Sequence, residues 1–174
     1  MNRLNDCIAM MEAGIERMSQ ALPRLPTADA KLCRLTMMVG TSMQRGLEEK
    51  LAPHGLGHSE FLTLVILYTH PDGSLSPGEL CDFASQGATN MTRIGNALVK
   101  RGLIVRGASE TDRRRVLIRI TPAGRRFVQK ILPPMFPHVD AMFAGFSDTD
   151  KRHLSRLLRK LANNLDQLDA DTAP

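Results

Sequence analysis

The residues of this chain whose types and spacing could do chemistry fall between Leu75 and Thr121, and the chemistry they suit is recognition rather than bond-making. Thr89, Asn90, Thr92 and Arg93 crowd the start of one amphipathic stretch. Amide, guanidinium and hydroxyl groups are the donors and acceptors that meet base edges and phosphates in a duplex groove. Asn90 suits adenine, Arg93 suits guanine or a phosphate, and Thr89 and Thr92 suit a phosphate or a thymine methyl. Lys100, at the far end of the stretch, suits a backbone contact, as does Arg101, unless these are plain solvated charge. Further on, the polar run from Gly107 to Arg114 carries Asp112, Arg113 and Arg114 and is followed by Arg115. Residues for bond-making are missing from the pattern: there is no Gly-rich phosphate loop, no nucleophile elbow and no His/acid/nucleophile set, so no catalytic residue and no enzyme is expected. His54 and His58 are four apart, but Gly55 and Gly57 break a shared helical face and there is no Cys-x-x-Cys pair. Neither a metal nor a cofactor is expected.

These side chains need elements to hold them, and the surrounding residues supply the signals. Ser76-Pro77-Gly78-Glu79 reads as a helix start, with a capping hydroxyl, Pro at the first helical position and Glu three residues after the cap. Ser76 is also counted among the candidate duplex contacts. Leu80 and Phe83 give this helix a short apolar stripe, and Ser85-Gln86-Gly87 breaks it. A second helix is expected from about Thr89 to Arg101, with Met91, Ile94 and Leu98 on one face, the polar readers on or beside the other, and Gly102 as its stop. Leu103–Arg106 and Arg115–Ile120 then read as two strands, the second alternating Val116, Ile118 and Ile120 against Arg115 and Arg119. Thr121-Pro122 caps the next helix. Helix, turn, helix and a hairpin with a basic tip make a winged helix, which lays its second helix in the major groove of double-stranded DNA.

The rest of the chain reads as helices. Ile8, Met11, Ile15, Met18 and Leu22 stripe a helix over residues 5–22, and Leu32, Leu35, Val39, Met43, Leu47 and Leu51 stripe one over residues 29–51. Residues 58–70, apolar over much of their circumference, form a core helix. Residues 121–146 are helical but interrupted by Pro133, Pro134 and Pro137. Ser147-x-x-Asp150 starts a last helix carrying Leu154, Leu157, Leu158, Leu161, Leu165 and Leu168, before a fraying tail from Asp169. The fold class is thus mainly α with a small β-hairpin wing. A single domain over 1–174 is expected, with residues 56–121 reading DNA and residues 1–55 and 122–170 as dimerisation helices. Terminal helices with apolar faces have no partner inside a small winged helix, so a homodimer is expected; an enlarged monomeric core is the alternative.

Composition agrees with a globular chain, at 43% apolar and 24% charged residues. No apolar run approaches the roughly 18 residues that cross a bilayer. Asp6, Glu12 and Glu16 argue against a signal peptide, and three widely spaced cysteines against a disulfide framework, so a cytoplasmic protein with no membrane partner is expected. Cys33 and Cys81 read as buried, inert thiols. The formal net charge is +5, yet residues 88–130 hold eleven Lys and Arg against two acids. Basic charge gathered on the reading helix, wing and following helix is the footprint of a polyanion partner.

The combination Thr92-Arg93, Leu98-x-x-x-Gly102-Leu103-Ile104-x-Arg106, Asp112-Arg113-Arg114 and Leu117-x-x-x-Thr121-x-x-Gly124 resembles the MarR family of bacterial transcription regulators. The block Ala88–Ile94, the Leu132-Pro133-Pro134 turn and the Arg159-Lys160-Leu161 to Leu165-Asp166-Gln167-Leu168 ending look most like its EmrR branch, repressors of multidrug efflux operons. Two departures bear on base preference. The turn has Ala84-Ser85-Gln86-Gly87 where the family has Leu-Gly and a small polar residue, and Ala88 replaces a basic or polar side chain.

The resemblance implies a dimer built from both chain ends, repression by binding a pseudo-palindromic operator, and a wing whose Asp112 holds Arg114 by an ion pair for entry into the minor groove. Arg113 and Arg115 would support it as backbone contacts; a tip that only tethers phosphates is the alternative. It also implies an effector crevice for small aromatic or hydrophobic compounds. Met37, Met38, Phe61, Val65, Tyr68 and Met135 could line it, although Met and aromatic residues at helical spacing equally suit plain core. Other readings stay open: a redox-sensing repressor using Cys7, a regulator of aromatic catabolism or virulence genes, and, in a different class, a sequence-nonspecific architectural DNA binder.

Overall fold

The computed structural model describes residues 3–108 and 116–172. Contacts divide the chain into two units, with the boundary between Lys130 and Ile131.

In the first unit, α1 (Leu4–Ala21) and α2 (Thr27–Leu51) pack on each other and are joined by a Lys31–Glu16 ion pair. Their stripes fall at the expected spacings, yet α1 buries no residue and α2 buries only Leu51. A 3-10 turn through Pro53 leads to α3 (His58–Thr69), which buries Phe61, Thr63, Leu64 and Leu67. The Glu60 carboxylate closes the start of α3 by accepting from the Gly57 N–H at 2.8 Å. Ser76 and Glu79 form the expected reciprocal cap of α4 (Pro77–Ala84): the Ser76 hydroxyl accepts from the Glu79 N–H and the Glu79 carboxylate from the Ser76 N–H at 2.8 Å.

Helix α5 (Ala88–Lys100) buries Met91, Ile94 and Leu98, the stripe its periodicity predicts. Strands β2 (Ile104–Ala108) and β3 (Val116–Ile120) pair antiparallel, Ile104 opposite Ile120 and Arg106 opposite Ile118. The wing is not a two-stranded hairpin alone. Ser74 and Leu75 form β1, which pairs with β3 to give the order β1-β3-β2. Two residues carry no periodicity of their own, so only pairing with β3 makes them a strand.

The core gathers Leu64 and Leu67 of α3, Leu80 of α4, Ile94 and Leu98 of α5, Ile104, Ile118 and, from α6 (Pro122–Ile131), Val128. Burying each such side chain is worth about 1.5–3 kcal/mol. One expected core residue is displaced: Phe83 is exposed, and Ala84 takes the inward place beside Leu80. A stripe of two residues leaves either flank able to turn inward, and packing of α4 on α3 and α5 selects the smaller side chain.

Thr121 and Gly124 fasten α6 to the wing. The Thr121 hydroxyl donates to the Gly102 carbonyl at 2.7 Å and accepts from the Gly124 N–H at 2.9 Å. Gly124 lies so close to the Leu103 carbonyl that a Cβ there would stand 2.2 Å from its oxygen.

The prolines divide the helical stretch as expected: α6 ends at the boundary, and the second unit continues with a 3-10 turn (Pro133–Met135) and α7 (Phe136–Met142). Ser147 and Asp150 cap α8 (Asp148–Thr172), with the Asp150 carboxylate accepting from the Ser147 N–H at 2.9 Å and hydroxyl at 2.6 Å. Those bonds, the side-chain one foremost, hold the Asp150 pKa below its ordinary value. Helix α8 runs on to Thr172, past Leu168, where a fraying tail was expected. Its Leu157, Leu158, Leu161, Leu165 and Leu168 are exposed. Among the described residues, no helix is long and apolar enough to cross a membrane.

Candidate nucleic-acid interface

Helix α5 presents its polar N-terminal half because its other face is committed to the core. Thr89, Thr92 and Arg93 are exposed and Asn90 is half-buried, while Met91 and Ile94 between them are buried. The Thr92 hydroxyl donates back to the Ala88 carbonyl at 2.9 Å, which fixes its rotamer and leaves its lone pairs and methyl outward. Asn90 is not free. Its amide Nδ2 donates to Oε1 of Gln86 in the α4–α5 turn, and its Oδ1 accepts from Nε and Nη2 of Arg93 at 3.1 and 3.0 Å. On the other side, Nη1 of Arg93 faces the Glu60 carboxylate at 3.8 Å. Ser76 caps α4, and Lys100 stands exposed at the far end of α5.

Two further arginines organise the site. Arg101, expected as a backbone contact or solvated charge, turns back onto the protein. It donates to the Gly55 carbonyl at 2.8 Å and the His54 carbonyl at 2.9 Å, and its guanidinium lies 5.2 Å from the Phe127 ring centroid. Arg101 thus ties the end of α5 to the turn after α2 and to α6. Its partners are some forty-six residues away, beyond any local signal. Arg106 of β2 reaches across α5 to the Thr92 carbonyl at 3.4 Å. A Cβ at Gly95 would stand 2.6 Å from the Arg106 Nη2. Here a signal existed: glycine inside a helix costs about 0.5–1 kcal/mol against alanine, which hints at a close approach.

Asp112, Arg113, Arg114 and Arg115 lie outside the described residues. Strands β2 and β3 lead to that tip, Ala108 pairing with Val116. Of the effector candidates, Met37 is exposed and Met38 half-buried on α2; Phe61 is buried and Val65 and Tyr68 half-buried along α3; Met135 belongs to the second unit. The Tyr68 hydroxyl accepts from Gln129 of α6 at 3.4 Å. Cys7 is half-buried. Burial was expected for both other thiols, but Cys33 is exposed, because α2 lays so few side chains against a neighbour, and Cys81 is half-buried on α4, whose inward places go to Leu80 and Ala84. No group of three or more metal-ligating side chains gathers among the described residues.

Known proteins share this fold. The family model described as MarR family matches residues 54–115. The transcriptional repressor MprA of Escherichia coli K12 is 32% identical over 146 residues, covering 84% of this chain and 83% of its own. The S. aureus MepR–DNA complex matches with a TM-score of 0.68 at 19% identity, covering 76% of this chain and 96% of that one. CouR from Rhodococcus jostii RHA1, bound to p-coumaroyl-CoA, matches with a TM-score of 0.67 at 23% identity, over 74% and 89% of the two chains.

Proposed function

The chain belongs to the MarR family of transcriptional regulators, and from that premise we propose that it is a cytoplasmic, homodimeric repressor, not an enzyme, that binds a pseudo-palindromic operator and is released by small aromatic or hydrophobic compounds. The observation that carries this reading is α5: one face is locked into the core while Thr89, Thr92 and Arg93 stand clear of it at the N-terminal end. Residues 56–121 would read the duplex, and the helices in 1–55 and 122–170 would pair two copies. Two α5 helices then fall about one DNA turn apart, roughly 34–36 Å. At the wing tip Arg114 enters the minor groove, whose negative potential favours a guanidinium, with Asp112 orienting it and Arg113 and Arg115 on phosphates. Ser76 and Lys100 contact the backbone.

Control of a multidrug efflux operon rests on the likeness of the Ala88–Ile94 block, the Leu132-Pro133-Pro134 turn and the α8 ending to the EmrR branch. A repressor among the relatives and a ligand-bound structural match support repression and small-molecule release. Effector contacts are assigned to Met37, Met38, Val65 and Tyr68, the members of the candidate set that α2 and α3 leave wholly or partly exposed.

The test is a titration of the purified protein with its own upstream region and with scrambled duplex at about 150 mM salt, repeated with salicylate and with a hydrophobic uncoupler. Tight, selective binding relieved by either compound is the expected result. Selective binding indifferent to both would reject the effector class and turn attention to Cys7. Equal binding to both duplexes would replace the repressor with an architectural binder.

A further inference from the structure

Gln86, Asn90, Arg93 and Glu60 form one continuous chain across the turn, α5 and α3. Glu60 is its fixed end: the side chain is 16% exposed, and Oε2 is already bound to the Gly57 N–H. Arg93 is its free end, 66% exposed, with Nη1 facing Glu60 and with Nε and Nη2 both donating to Asn90 Oδ1. A guanidinium has five N–H donors. Two are hydrogen-bonded to Asn90, and Nη1, 3.8 Å from Glu60, makes no hydrogen bond, so three remain for a partner outside, enough for guanine O6 and N7.

Asn90 is in the reverse position. Bidentate pairing with adenine needs its amide oxygen as acceptor and its amide nitrogen as donor together. The oxygen accepts from two Arg93 donors, and one of the nitrogen's two N–H groups donates to Gln86. With both lone pairs of its oxygen taken, Asn90 lacks the acceptor that an adenine amino group needs, and Gln86 holds the amide in that orientation. The Gln86 position is itself fixed, because its backbone N–H donates to the Cys81 carbonyl at 2.9 Å as the chain leaves α4.

We infer that Gln86 sets base specificity without touching a base: it locks the Asn90 amide, Asn90 orients Arg93, and Arg93 alone reads, selecting guanine rather than adenine at that step. The inference deepens the proposed function and rests on it. A long side chain held in its reading geometry before contact loses less rotamer freedom on binding, which is the physical gain of the arrangement. Without Gln86 the amide can rotate and offer its own edge to the groove.

The experiment selects preferred duplexes from a fully randomised pool with the full-length protein and with Gln86→Ala, Gln86→Glu, Asn90→Ala and Arg93→Ala, each checked by thermal melting. The wild type should enrich a guanine at one position in each half-site, and Arg93→Ala and Asn90→Ala should both relax that same position. Gln86→Ala should weaken the guanine preference on the order of tenfold. Gln86→Glu, which keeps an acceptor for the Asn90 amide, should restore the preference although its added charge weakens binding to every duplex; a turn that needed Gln86 only for stability would show no such rescue. Guanine preference undiminished in Gln86→Ala, or Asn90→Ala and Arg93→Ala relaxing different positions, overturns the inference while leaving the repressor in place. A wild type that enriches nothing from the pool overturns the repressor reading and the inference together.

Discussion

The module from α3 to β3 and the long helices α1, α2 and α8 use the same kind of apolar stripe with opposite results. Leu64, Leu80, Ile94 and Leu98 of the module have no exposed surface at all, whereas Leu32 of α2 is 61% exposed, and Leu157 and Leu165 of α8 are 52% and 53% exposed. Periodicity alone does not separate these stripes. The difference lies in neighbours: α3, α4, α5 and the sheet face one another within about sixty residues, while α1 and α2 offer each other one side only. An apolar helix face left to water is an interaction surface or a liability. In the proposed dimer a second copy covers these faces, whereas the module, closed by Leu51 of α2 and Val128 of α6, already covers its own.

Four experiments would break or sharpen that contrast. The largest effect is expected from Leu98→Ala, which empties a fully enclosed place in the module and should cost about 2–5 kcal/mol in denaturant unfolding; a loss under about 1 kcal/mol would mean the module leans on the arms for its core. Leu161→Asp on α8 should instead leave the module folded and weaken association by about 2 kcal/mol or more, read as monomers in sedimentation at concentrations where the wild type is paired. Unchanged association would leave the leucine stripe of α8 without a partner. Gly124→Ala drives a methyl toward the Leu103 carbonyl and should cost about 1–3 kcal/mol in melting experiments. An unaltered melting temperature would show that the join between α6 and the wing yields freely.

The smallest effect concerns pH at the start of α8. The Asp150 pKa is lowered in the folded chain by its bonds to Ser147, so its contribution is present above the ordinary carboxylate value and is lost as pH falls through the lowered one. Helicity followed by circular dichroism from about pH 5 downward should persist to slightly lower pH in the wild type than in Ser147→Ala, which loses the hydroxyl bond to Asp150 and keeps the backbone one. Superimposable profiles would leave the cap without influence on α8.

Much of the fold was legible because its signals are local. The Ser76–Glu79 box, the Met91/Ile94/Leu98 stripe and the break at Pro133 each depend on residues within a few positions of one another, and each stands where spacing put it. Phe83 was misplaced for lack of length in its stripe, and β1 escaped because its two residues become a strand only beside β3. On α5, the exposure of Thr89, Thr92 and Arg93 could be expected from their side-chain types and their place opposite an apolar stripe. What could not be read was which of them were already engaged. Asn90 carries the same chemistry in the sequence whether its amide faces a groove or Arg93, and only the fold brings Glu60 from α3 to the other side of that arginine.

The sequence by itself determined the helices, the turn, the basic wing strands and the family they belong to, because hydrogen-bond periodicity, caps and stripes act over one or two helical turns. Only the tertiary structure decided that Arg101 clamps the residues 54–55 turn instead of facing outward, that Arg106 crosses Gly95, and that Asn90 is held between Gln86 and Arg93. Gln86 and Asn90 do share a helical spacing, but the choice of partner for each side chain depends on which donors and acceptors the fold has already satisfied, and distant segments such as α3 help to set that.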